Sequence, residues 1–87
     1  MSRSPQQHLL DRAIMRALLD SRSGTLPERM LTDKLAIALE PAPLRSELDE
    51  ALRHADAEYR VVSVDTTYGM VWSLTDSGRA WAKGQRL

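Results

Sequence analysis

Histidines, carboxylates and glycines are the side chains with which a chain this short would do chemistry. Their arrangement here does not assemble a catalytic site. The two histidines, His8 and His54, fall on different helical segments and read as surface residues. The acid pairs Asp49-Glu50 and Asp56 with Glu58 lie on or near a helix, where adjacent residues do not face each other. The glycines at 24, 69, 78 and 84 form no phosphate-cradling loop. Gly78-Arg79 lacks the longer Gly-rich loop and the following Lys and Ser or Thr that a nucleotide loop needs. There is no cysteine, so disulfides, thiolate zinc sites and a thiol nucleophile are all excluded. The chain therefore reads as non-catalytic, with no cofactor, no metal site and no small-molecule substrate.

The residues that remain are suited to binding. On the polar side of the helical run from Leu44 to Ala55 lie Arg45, Ser46, Asp49, Glu50 and Arg53. Arg45, Ser46 and Arg53 have the chemistry for base or phosphate contacts. The same face can also close on itself through i,i+4 pairs: Arg45 with Asp49, Asp49 with Arg53, Glu50 with His54. Each such pair contributes about 0.2–0.5 kcal/mol. A second candidate group is Arg60 with the polar turn residues Thr66, Thr67 and Tyr68. A third is Met15, Leu19 and Trp81, apolar residues lying off the main stripes. Met15 and Leu19 are four residues apart, hence neighbours on a helix, and suit a partner or self-association surface that Asp49 and Glu50 would extend.

Charge discriminates between these uses. The net charge is zero, but residues 1–22 carry +2, residues 23–40 carry −1, residues 41–59 carry −3 and residues 60–87 carry +2. Nucleic-acid affinity comes mainly from neutralising phosphates with Lys and Arg, so an acidic segment at 41–59 opposes binding through that helix. The basic ends offer a separate patch, Arg3, Arg12, Arg16 and Arg22 on one side and Arg79, Lys83 and Arg86 on the other.

The elements that must position these residues follow from periodicity. Ser4-Pro5-Gln6-Gln7 is a helix start with a capping box. Leu10, Ala13, Ile14, Ala17 and Leu18 give a helical stripe ending near Asp20. A second helix lies within Pro27–Leu39, with Leu31, Leu35, Ala38 and Leu39 on one face. Its start is open: Thr25 can cap it, or Thr32 can cap a shorter helix with Leu26–Leu31 extended. Prolines 41 and 43 end it. A third helix starts at Pro43, burying Leu44, Leu48, Ala51, Leu52 and Ala55. The period then changes from 3.6 to 2. Tyr59–Val64 and Met70–Leu74 read as a hairpin, with Met70, Trp72 and Leu74 closing over the helices. Thr75–Gly78 starts a short last helix. With 87 residues, 43% apolar, the expectation is one α+β domain over 1–87, ordered at about 5–82 with a tail at 83–87. It has no membrane span and is expected in the cytoplasm.

Three stretches carry a family likeness. Leu35-Ala36 with Leu39, and Glu47-Leu48 with Ala51-Leu52, resemble the second and third helices of the winged helix-turn-helix superfamily. Trp72-Ser73-Leu74-Thr75-Asp76-Ser77-Gly78 resembles the end of its wing. More loosely, the chain is similar to small stand-alone winged-helix proteins of bacterial and prophage genomes. The resemblance implies a three-helix bundle with a C-terminal hairpin wing and a final helix. It also implies a DNA-binding accessory or regulatory role, with double-stranded DNA read by Arg45, Ser46, Arg53, Arg60, Thr66, Thr67 and Tyr68. The alternative is a protein-interaction adaptor of the same fold, homodimeric in one form, since fold does not fix function.

Overall fold

A computed structural model describes residues 3–84; Arg86 and the end of the predicted tail lie outside the described residues. The chain is α+β, with elements in the order α1 (Pro5–Asp20), β1 (Thr25–Pro27), α2 (Glu28–Ala38), α3 (Arg45–Ala57), β2 (Val61–Thr66), β3 (Gly69–Leu74) and α4 (Asp76–Gly84).

Helix α1 starts where its capping box sits. The Ser4 hydroxyl accepts from the Gln7 N–H at 3.1 Å, and the Gln7 side chain accepts from the Ser4 N–H at 2.9 Å, so two orphan donors of the first turn are satisfied. The helix packs against α2, α3, α4 and β3. A helix with neighbours on so many sides needs apolar residues beyond one stripe, and Leu10, Ile14, Met15 and Leu18 are all buried. Met15 is 1% exposed, which removes it from the proposed partner surface: it is core.

Neither expected start of the second helix is observed. Pro27 holds the N-cap position without a side-chain cap, and the Thr32 hydroxyl donates to the Glu28 carbonyl at 2.8 Å. Residues 25–27 are a strand because β3 offers a ladder there. Thr25 pairs with Ser73, Leu26 with Trp72 and Pro27 with Val71. Leu26 is buried, and the Thr25 and Ser73 hydroxyls meet at 2.9 Å.

Helix α3 begins two residues later than expected, at Arg45. Leu44 holds the N-cap position and is 67% exposed, so the buried stripe starts at Leu48 and continues through Ala51, Leu52 and Ala55. The Leu44 N–H donates to the Glu47 carboxylate at 2.8 Å. At the other end Tyr59 takes φ 59°. This left-handed residue lets the Arg60 N–H reach back to the Ala55 carbonyl at 2.9 Å, the 6→1 bond of a Schellman stop. Tyr59 is therefore part of the helix stop, and the strand begins at Val61.

The sheet is antiparallel with order β1-β3-β2. Paired residues share a face, so Val61, Ser63, Trp72 and Leu74 look towards the helices, while Pro27, Val62, Val64 and Val71 look away. Val61 and Trp72 are buried, and Leu74 packs partly against the core. Met70, expected to close over the helices as well, is 36% exposed, because the hairpin outruns the helix layer. Helix α4 returns to the base of the hairpin. The Thr75 hydroxyl donates to the Tyr59 carbonyl at 2.5 Å and accepts from the Gly78 N–H at 2.9 Å. Gly78 itself lies hard against the Arg60 carbonyl.

Candidate interaction surfaces

The outer face of α3 is largely engaged within the molecule. Arg45 donates to Glu28 at 2.8 Å and pairs with Asp49 at 3.2 Å. Glu28 also accepts from the indole N–H of Trp72 at 3.1 Å, so one carboxylate ties α2 to α3 and to the sheet. Burial pushes the Glu28 carboxyl up, but the hydrogen bonds from Arg45 and Trp72 outweigh it and hold the carboxyl below its ordinary range. The Arg45 guanidinium is raised by the same bond. Glu50 is taken by Arg3, which donates to it at 2.7 Å and makes a two-pronged pair with buried Asp11 at 2.6 and 2.9 Å. The hydrogen bond from Arg3 lowers the Glu50 carboxyl. Of the three i,i+4 pairs expected, Arg45–Asp49 forms. Arg53 instead approaches the Asp49 backbone carbonyl at 3.4 Å, and Glu50 turns from His54 to Arg3. Ser46 and Arg53 are exposed.

The net charge of this surface is negative. From Arg45 to Ala57 two arginines stand against four carboxylates, and from Val61 to Leu74 the chain carries Asp65 and no cation. The hairpin is apolar instead. Val62 and Val64 are about half exposed on its outer face, and Tyr68 at its tip is fully exposed. The Thr66 hydroxyl is spent on the turn, donating to the Gly69 carbonyl at 2.6 Å and accepting from the Tyr68 N–H at 3.2 Å. Thr67 is exposed beside it.

Trp81 is also committed. The Arg60 guanidinium stacks over its ring at 4.2 Å, and His8 meets it edge-on at 6.3 Å between centroids. This cluster pins α4 and the start of β2 to α1. Leu19 is half-buried against the core. The grouping of Met15, Leu19 and Trp81 as one open apolar patch therefore does not form.

Sequence patterning missed three features. The role of Glu28 depends on Trp72, 44 residues away, and no local pattern points to it. Arg3 belongs by sequence to a basic end, yet it bridges α1 and α3. Val62 and Val64 look like ordinary strand residues, although strict alternation puts both on the face opposite Val61.

No protein-family model matches the chain, and no curated protein matches it in sequence. Among the described residues, no helix is long and apolar enough to cross a membrane, and no three His, Asp or Glu side chains are grouped to hold a metal ion.

Proposed function

We propose that the chain is a non-catalytic winged-helix-type module that binds a protein partner through the outer face and tip of its hairpin. The element order, with β1 paired to β3, supports the winged-helix layout: α2 and α3 form the helix-turn-helix and β2–β3 the wing. One observation carries the choice of partner. The hairpin presents Val62, Val64 and Tyr68 to solvent without a single Lys or Arg. A wing that approached phosphates would need cations there, whereas uncovered apolar side chains on so small a domain suit a protein interface.

The same layout is the ground for the alternative, duplex DNA held by Arg45, Ser46, Arg53, Arg60 and the turn at Thr66–Tyr68. That reading requires Arg45 to leave Glu28 and Asp49, and Arg60 to leave the Trp81 ring. Site-specific photo-crosslinking in cells of the source organism separates the two. A photoreactive residue at Val64 or Tyr68 is expected to give discrete, protease-sensitive adducts, and one at Lys83 none. Nuclease-sensitive adducts from the hairpin, together with duplex binding that weakens steeply with salt and is lost in Arg45→Ala/Arg53→Ala, overturn the proposal in favour of DNA. Absence of any adduct from either hairpin position overturns it outright.

A further inference from the structure

A second surface, apart from the hairpin, lies along the seam of α1 and α2. Leu9, Ala13 and Ala17 on α1, Leu35 and Ala38 on α2, and Leu39 at the C-cap of α2 form the apolar lining of a groove of about 350 Å³. Alanines at 13, 17 and 38 leave the two helix backbones close to the surface, so the groove is shallow, long and open. A 16-residue helix beside an 11-residue helix gives a channel whose length suits a third helix, packed as helices pack on one another's ridges.

The charged residues around the groove specify the occupant. Arg12, Arg16, Asp20 and Lys34 line it. Arg16 and Asp20 neutralise each other at 3.3 Å. Arg12 and Lys34 make no ion pair among the described residues. Arg12 Nε is also shut off from solvent without an acceptor, the one buried side-chain nitrogen or oxygen so placed among the described residues. Hydrogen bonds between charged groups are the strong ones. The groove thus combines an apolar floor with two cations, one on each helix, that are unpaired among the described residues.

We infer that the α1–α2 groove docks an amphipathic helix of a partner protein whose apolar ridge is flanked by carboxylates, one meeting Arg12 and another Lys34. Leucine-sized side chains on that ridge fill the notches over Ala13, Ala17 and Ala38. The carboxylates provide the complement that the described residues do not supply. This surface is independent of the hairpin, so an adaptor could engage two partners together, and either surface can fail without the other.

The probe is a synthetic 18-residue helical peptide with leucines at i, i+4, i+7 and i+11 and glutamates on both flanks. Its counterpart carries lysines in place of the glutamates. Titration into the isotopically labelled chain, followed by amide chemical shifts, is expected to give saturable changes at Ala13, Ala17, Ala38 and Leu39. The acidic peptide is expected to bind at least tenfold tighter than the basic one. Arg12→Glu with Lys34→Glu should reverse that preference. Ala38→Trp, a change at an exposed position that covers the groove from its rim, should abolish both interactions while the melting temperature stays put. Several results overturn the inference: equal affinity for the two peptides, shifts confined to the hairpin, or no saturation at millimolar peptide. Groove shifts that grow with protein concentration alone, alongside a sedimenting dimer, would give the groove to a second copy of this chain instead.

Discussion

Two residues show how a single side chain, or its absence, decides local structure. A Cβ placed on Gly78 would lie 1.8 Å from the Arg60 carbonyl oxygen, a backbone atom that cannot swing away. Gly78→Ala should therefore destabilise by at least the cost of an overpacked core, about 1–3 kcal/mol, in urea unfolding. Gly84→Ala is its control. Nothing lies within 4 Å of that position, and the change should be neutral or stabilising by up to about 1 kcal/mol. Equal effects at the two positions would mean that α4 does not dock on Arg60. Glu28 gives the second case. Its carboxyl is held below the ordinary value by Arg45 and Trp72, so the folded state favours the ionised form. The resulting stability is fully present above the unfolded-chain value, near 4.5, and is lost as pH falls through the lower folded-state value. Thermal melts from pH 7 to pH 3 should show wild type losing stability below about pH 4.5 faster than Glu28→Gln, which lacks the titrating group. Parallel curves would show that the Arg45–Glu28–Trp72 link is not formed in solution. None of this was visible in the sequence, because the partners of Gly78 and Glu28 are set by packing between distant segments.

At the level of elements, periodicity carried most of the information. The capping box of α1, the core stripes Leu10–Leu18 and Leu48–Ala55, the turn at Thr66–Tyr68 and the Thr75 start of α4 follow from local rules, and all are observed. The misses fall at boundaries, where two local rules compete. Leu44 fits the helical stripe by spacing, but Pro41 and Pro43 hold the preceding chain out of helical geometry, leaving Leu44 as a cap facing water. The three-residue β1 is too short to show a period, and only its ladder to β3 makes it a strand. The energetic consequence is testable within one stripe. Leu48→Ala should cost about 2–5 kcal/mol as a large-to-small change in the core. Leu44→Ala should cost under about 0.5 kcal/mol, as surface changes usually do. Comparable losses at 44 and 48 would restore the helix start predicted from Pro43. The candidate site was less legible than the fold. The polar residues of α3 are plain in the sequence, but which partners its charged groups meet depends on Arg3 and Glu28, contributed by other elements.

Over the whole molecule, burial is unevenly distributed, and stability should follow it. Helix α1 sits among α2, α3, α4 and β3, and Leu18, Leu31 and Val61 are completely covered. The far half of the hairpin has no such cover: from Val62 to Met70 every residue is exposed, and it is held by the β2–β3 ladder and the Thr66 turn. Local opening needs little free energy where few apolar contacts are lost. Native-state hydrogen exchange should therefore divide the chain into two tiers. Amides at Ile14, Leu18, Leu52 and Trp72 are expected to exchange only on global unfolding, with the full denaturant dependence of that transition. Amides paired across Val64–Val71 and Thr66–Gly69 are expected to exchange by openings that scarcely respond to denaturant. A hairpin that opens alone can adapt to a partner without unfolding the bundle behind it, which is the mechanical property the proposed interface requires. Protection at Val64 and Val71 as high as that at Leu18 would contradict it: the hairpin would then be as rigid as the core, and its exposed valines would need another explanation, such as self-association in the measured sample.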